Sequence, residues 1–234
     1  VLAVVAAGLL VPVGVVVYWA SVGSSEGTGS VLVEAATTSV GLSAAAAAAA
    51  VALAVPVAVL AVRHRSRFSR LVETCATAGY ALPGLVVALA LVFFASRYTP
   101  AVYQTASLVI VAYVIRFLPE ALGAVRSSLT RVDPALEEAA RSLGRRPLAV
   151  AATVTLPLVR PGLLAGGALV FLTAMKELPA TLLLRPAGTE TLAVRVWTGA
   201  SEGLYAQAAP AALLVVAVSA LVLWPLRPAK IDRW

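Results

Sequence analysis

Six apolar runs, each close to the roughly 20 residues a helix needs to cross a bilayer, account for most of this 234-residue chain. They read as Val1 to Ala20, Ser39 to Val62, Ala78 to Ala95, Ala101 to Leu118, Leu158 to Leu178 and Ala206 to Leu226. With 61% hydrophobic residues, 12% charged and a mean hydropathy of +0.94, the chain has too few charges to coat a globular surface. The expected fold is all-α: a polytopic membrane protein of about six transmembrane helices, with residues 1–234 as one domain. An unbroken alanine block, Ala44 to Ala50, suits close packing of the second helix against its neighbours.

The net charge of +7 and pI near 10.2 do not point to nucleic acid, because the basic residues cluster beside the apolar runs, as membrane topology requires. One side collects Arg63, Arg65, Arg67 and Arg70, then Arg116, Arg126, Arg131, Arg141, Arg145, Arg146 and Arg160, and finally Arg227, Lys230 and Arg233. The other has only Arg97, Lys176, Arg185 and Arg195. The positive-inside rule makes the first side cytoplasmic, with both termini on it. The segment Ser21 to Ser30, rich in serine and glycine and holding Glu26 without lysine or arginine, reads as an external connection.

Between the fourth and fifth runs lies E-A-A-R-S-L-G-R-R-P-L-A-V-A-A-T-V-T-L-P, Glu138 to Pro157. Pro134 is suited to open a helix after Asp133, and Ala135 to Leu143 supplies good helix formers until Gly144 stops and turns the chain. Arg145, Arg146 and Pro147 begin a second short helical stretch, which runs into Leu156 and Pro157. Two short helices around a glycine elbow make a compact knob.

This loop resembles the signature of the membrane-spanning subunits of ABC importers: E-A-A, three residues, G, nine residues, an aliphatic residue, one residue, L-P. Glu138, Ala139, Ala140, Gly144, Val154, Leu156 and Pro157 fill its positions. The resemblance implies that residues 133–157 form a cytoplasmic coupling loop seated in a cleft of a separate ATPase subunit. Glu138, Ala139, Ala140 and Gly144 would shape the knob with Leu156 and Pro157, and Arg141, Arg145 and Arg146 would offer charge to the cleft. It also implies the type I importer (MetI-like) permease fold.

The chain shows no catalytic constellation of its own. Its two lysines, Lys176 and Lys230, lack the glycine spacing of a phosphate-binding loop. His64 and Cys75 are the sole histidine and cysteine, which leaves no multi-cysteine zinc site, no H-E-x-x-H and no internal disulfide. Asp133 and Asp232, the two aspartates, both lie in polar segments and not in an apolar run. No enzyme activity, cofactor or metal site is expected.

The fifth run ends in M-K-E-L-P-A-T-L-L-L-R-P, Met175 to Pro186. Lys176 lies 16 residues beyond Arg160, about 24 Å along a helix, which puts it near the far boundary of the membrane. Charged groups there either line a water-filled path or snorkel, and Lys176, Glu177, Pro179 and Thr181 are the candidate path residues. Gly162 and Gly166 form a G-x-x-x-G pair that favours close helix approach, a candidate central contact with a partner. Thr191 to Ser201, with Trp197, reads as a short external or interfacial helix, and Arg185, Glu190, Arg195 and Glu202 are candidate docking charges beside it.

Over nearly the whole chain, G-Y-A-L-P-G (Gly79 to Gly84), V-I-R-F-L-P (Val114 to Pro119), the Met175 to Pro186 segment and A-S-E-G-L-Y-A-Q-A-A-P (Ala200 to Pro210) look like the second half of ferric iron permeases. In that family two six-helix halves are commonly fused, which would fit a chain that begins at Val1 without a methionine. The resemblance implies a bacterial plasma (inner) membrane location and three protein partners: a cytoplasmic ATPase dimer, a substrate-binding protein and a second permease half. Molybdate, sulfate, thiamine and polyamine permeases share the fold and stay open as alternatives. So do two other classes, a secondary transporter or channel and a membrane scaffold. A secondary transporter would carry charges paired near the midplane, and the runs read as nearly free of them.

Overall fold

A computed structural model describes residues 2–23, 28–64 and 66–224. Glu26, Arg65, Arg227, Lys230, Asp232 and Arg233 lie outside the described residues. Among those described, the chain is helical with no strand, and five helices are long and apolar enough to cross a membrane, or six if one sharply bent pair counts as a span.

The core is built from three long helices: α2 (Thr28–Arg63), α5 (Ala106–Leu129) and α8 (Leu156–Met175). On α2, Ala46, Ala50, Ala54 and Ala58 are fully buried at a spacing of four residues, a continuous strip of small side chains facing the other two helices. The alanine block thus supplies half of a packing face. On α8, a Cβ at Gly166 would lie 3.2 Å from Ala121 Cα, and one at Gly162 would overlap Ser128 of α5. The G-x-x-x-G pair therefore works inside the chain, between α5 and α8, and not at a contact with a partner.

Around this core, α4 (Gly84–Tyr98) and the short α9 (Pro179–Leu184) lie against α5, while α10 (Leu192–Ser201) and α11 (Tyr205–Leu223) form a hairpin beside α2 and α8. The first helix, α1 (Leu2–Val22), is outermost and touches α11, with Trp19 against Tyr205 at 5.6 Å between ring centroids.

Several boundaries differ from the sequence reading for identifiable reasons. Helix α2 starts well before Ser39 because the polar residues at its head satisfy themselves: Thr37 Oγ1 donates to the carbonyls of Val33 and Glu34, and Ala35 is buried in a second small core with Met175, Leu192 and Ala211. The third run is broken. It begins at Ala78, the last residue of the amphipathic α3 (Arg67–Ala78), which is bent 107° from α4 through a 3-10 turn at Gly79–Ala81 and Pro83. Helix α3 is capped by Ser66 and tied to α5 by an ion pair between Glu73 and Arg126.

The fourth run is displaced: α5 begins at Ala106 and continues past Leu118 to Leu129, through Pro119, Glu120 and Arg126. Arg116 consequently sits near the middle of a spanning helix and does not belong with the basic end. Helix α10 is the short helix expected there, and one face of it is anchored in the bundle while Trp197 stays 52% exposed. Thr191 caps it, Leu192 and Val194 are fully buried, and Ser39 Oγ accepts the Leu192 amide hydrogen at 2.7 Å.

Candidate functional site

Two places in this architecture concentrate polar chemistry: the elbow between α5 and α8, and the point where α8 breaks.

The elbow follows from its residues. Asp133 caps α6 (Pro134–Ser142), its carboxylate accepting from the Ala135 amide at 2.9 Å, and Pro134 occupies the first turn, where no amide partner is needed. At the other end Gly144 takes the left-handed conformation, φ +80°. The Gly144 amide then donates to the Arg141 carbonyl at 2.9 Å and the Arg145 amide to the Ala140 carbonyl at 3.3 Å, a Schellman closure that needs a residue without Cβ strain. The same closure recurs at Gly203, between α10 and α11, with Leu204 bonding back to Gly199.

Beyond the elbow, α7 (Pro147–Val150) passes into a π-helical turn, Ala151–Thr155, before α8 begins. Pro157 accounts for the widening, because it cannot donate to the turn behind it and its ring crowds the carbonyl four residues back. Thr153 compensates with a hydroxyl bond to the Ala149 carbonyl at 2.6 Å while accepting from Arg145 at 2.8 Å.

The knob is held to the bundle by Glu137, a residue the sequence reading passed over. Its carboxylate is buried and takes Arg63 of α2 at 3.1 Å, Thr155 at 3.0 Å and a longer contact from Arg141 at 3.9 Å; Arg63 also donates to the Val132 carbonyl at 3.0 Å. The signal was faint but present: Glu137 and the buried Ala140 lie three residues apart on one face of α6.

The residues named from the sequence are on the other side. Glu138, Ala139, Arg141, Gly144, Arg145 and Arg146 are exposed, Ala140 is the inward contact, and Leu156 and Pro157 lead into the membrane-length helix. Two apolar side chains at the tip, Leu143 and Leu148, are 83% and 86% exposed. A cavity of about 460 Å³ lies behind the knob, bordered by Arg63, His64, Glu137 and Arg141.

The second place is the end of α8. After Met175 the helix stops, and Pro179 restarts the chain as α9. Glu177 turns inward, 8% exposed, onto an ion pair with Arg116 of α5. Its Oε1 also accepts the Ala180 amide at 3.2 Å, which caps α9. Thr181 is fully buried, donates to the Glu177 carbonyl at 2.6 Å and shares a 2.5 Å hydrogen bond with Tyr113 of α5. One turn away, Thr173 donates to Glu120 at 2.9 Å.

Of the four path candidates, then, Lys176 and Pro179 are exposed, whereas Glu177 and Thr181 brace the break from inside. The spans are not free of interior charge, contrary to the sequence reading. Arg116 and Glu177 are too far apart in sequence for any local pattern to pair them, yet three segments singled out separately, around Gly84, Arg116 and Glu177, converge on this one ion pair.

Of the outer charges, Arg195 pairs with Glu190 at 3.1 Å and Arg185 donates to the Thr189 carbonyl at 2.6 Å, while Glu202 is exposed.

The model of a known family, the binding-protein-dependent transport system inner membrane component, matches residues 50–226, from the middle of α2 to past the end of α11. The chain belongs to that family. The permease is 39% identical over 220 residues to the Fe(3+)-transport system permease protein FbpB 2 of Haemophilus influenzae, covering 93% of this chain and 44% of that protein. It is 29% identical over 154 residues to a putative 2-aminoethylphosphonate transport system permease protein PhnV of Salmonella choleraesuis, covering 66% of this chain and 57% of the relative. The permease thus spans about half the length of the curated relatives it matches. Among solved structures, the inward-facing MetNI methionine ABC transporter superposes with a TM-score of 0.69 at 18% identity, covering 86% of this chain and 95% of that one, which shows a shared fold. The all-α, MetI-like permease fold expected from the sequence is the one found.

Proposed function

We propose that this permease is one half of the transmembrane part of an ATP-driven importer, working with a second permease half, a cytoplasmic ATPase dimer and a substrate-binding protein. The observation that carries the reading is the elbow. Leu143 and Leu148 project almost fully into solvent at the tip of a knob that Glu137, Arg63 and Thr155 hold rigidly to the bundle. Apolar side chains left out at the end of a braced projection favour a protein partner with a matching cleft.

In this reading residues 133–157 are the coupling loop. Glu138, Ala139, Ala140, Gly144, Leu156 and Pro157 give it its shape, and Arg141, Arg145 and Arg146 face the motor. The loop and both termini lie in the cytoplasm, in agreement with Arg63, Arg67, Arg70, Arg126, Arg131 and Arg160 at the same end. ATP closure of the motor draws the knobs together, the bundle reorients so that the path opens toward the loaded binding protein, and hydrolysis resets it. Lys176 and Pro179, exposed where α8 breaks, lie along that path, supported from within by Glu177 and Thr181.

The cargo is ferric iron, on the strength of the 39% identity to a ferric permease across most of this chain. The 2-aminoethylphosphonate relative makes a phosphonate the second reading. Uptake of radiolabelled ferric citrate, molybdate, thiamine and 2-aminoethylphosphonate by cells with and without the full protein decides between them. ATP-dependent accumulation of ferric iron alone is the expected result; accumulation of another cargo overturns the iron reading, and accumulation without ATP overturns the importer.

A further inference from the structure

The Arg116–Glu177 pair stands where four elements meet. Arg116 belongs to α5, which leads into the elbow; Glu177 lies in the break just after α8, which leaves it; the Glu177 carboxylate accepts the Ala180 amide of α9; and Gly84 opens α4 so close to the pair that a Cβ there would lie 2.6 Å from Arg116 Nη1 and 2.9 Å from Glu177 Oε1. Arg116 also lies over the Phe117 ring, 5.1 Å from its centroid. An ion pair taken out of water is seldom a source of stability, because desolvation cancels much of its attraction. What such a pair does supply is geometry, since losing Arg116 strands the buried Glu177 carboxylate and losing Glu177 leaves a partly buried guanidinium without its partner.

Between this pair and the elbow, α5 and α8 are fastened twice more, by the glycine contacts at Gly162 and Gly166 and by Thr173 on Glu120. The two helices flanking the elbow therefore form one stiff lever. Its near end is fixed by Glu137 and its far end by Arg116 and Glu177.

We propose that Arg116 and Glu177 are positioning residues for transport: they bind the break in α8 to the α5–α8 lever, so that a displacement at the elbow moves α9 and α4 with it. This rests on the importer reading and extends it. Without the pair, the elbow would still engage its motor, but α9 would no longer follow. Lys176 stays on the exposed side of the break, close enough to Glu120 for their charges to interact.

The test uses the assembled transporter with Cys75→Ser and one reporter, Leu182→Cys, on the partly exposed face of α9. Labelling by a charged maleimide is compared in ADP and in ATP with vanadate, alongside ATP hydrolysis. With the native pair, labelling should differ between the two states by about fivefold or more, the lower end of measured site-to-site couplings. Arg116→Ala and Glu177→Ala should each abolish that difference while hydrolysis stays within about twofold, and the charge swap Arg116→Glu with Glu177→Arg should restore it in part. Glu177→Asp, which keeps the charge and shortens the reach, should fall between.

Three results overturn the inference: a nucleotide difference that persists in both alanine variants, a native pair that shows none, or loss of hydrolysis in step with loss of labelling, which marks simple misfolding. An assembly that never hydrolyses ATP, native pair included, refutes the importer reading itself.

Discussion

On α6 the carboxylate of Glu137 turns inward onto Arg63 and Thr155, while that of its neighbour Glu138 faces solvent. The sequence pattern marks Glu138, because the family resemblance is written around it. The structural bond belongs to Glu137, whose main partner lies 74 residues away and leaves no local trace. Removing one member of a mostly buried ion pair strands the other, so Glu137→Ala should destabilise the protein by about 3 kcal/mol. Glu138→Ala touches an exposed position and should change stability by less than about 0.5 kcal/mol. Thermal unfolding of the two variants in detergent checks the contrast; equal losses would remove Glu137 from its bracing role. Gly144 is the opposite case. Its requirement was legible, because a run of helix formers ending in glycine before a second short helix needs a left-handed closing residue.

At the scale of elements, most helices could be read from hydropathy, and the errors share a cause. Where a polar side chain finds a partner, in its own helix as at Thr37 in α2 or across the bundle as at Arg116 and Glu120 in α5, hydropathy undercounts the helix. Where a backbone contact dictates a bend, hydropathy misses it, as at Gly79, whose Cβ would overlap the Ile115 carbonyl of α5. The glycine pair on α8 was recognised as a packing feature but given the wrong partner, since spacing reveals a close approach and not which helix approaches. Gly162→Leu tests the corrected assignment. Forcing a large side chain against Ser128 and the Ala124 carbonyl should separate α5 from α8 and cost about 3 kcal/mol or more, the upper range for overpacking a core. Thermal unfolding of the purified permease should show a lowered midpoint, and an unchanged midpoint would mean that the two helices do not rely on that contact.

For the whole molecule, two separate lines converge. The basic residues gather at the end that carries the elbow, and the elbow offers bare leucines on a braced support. The part-buried ion pair at the α8 break first weakens the case against a secondary transporter, because hydropathy alone reads the spans as nearly free of charge. Its geometry then answers the objection: Glu177 is committed to Arg116 and to the α9 cap, an arrangement suited to holding helices together and not to passing an ion. Fold class and loop were thus accessible from local pattern. The clasp was not, because its partners lie on separate helices and meet only in three dimensions.

The central claim is that the elbow seats this bundle on a separate motor. Its most direct measurement is co-purification of the tagged full-length protein from native membranes, followed by mass spectrometry for an ABC ATPase, with wild type beside the double variant Leu143→Asp, Leu148→Asp. The expected result is an ATPase recovered with the wild type and lost from the variant at equal permease yield. Equal recovery with both, or an active wild-type carrier that brings down no ATPase, would contradict it.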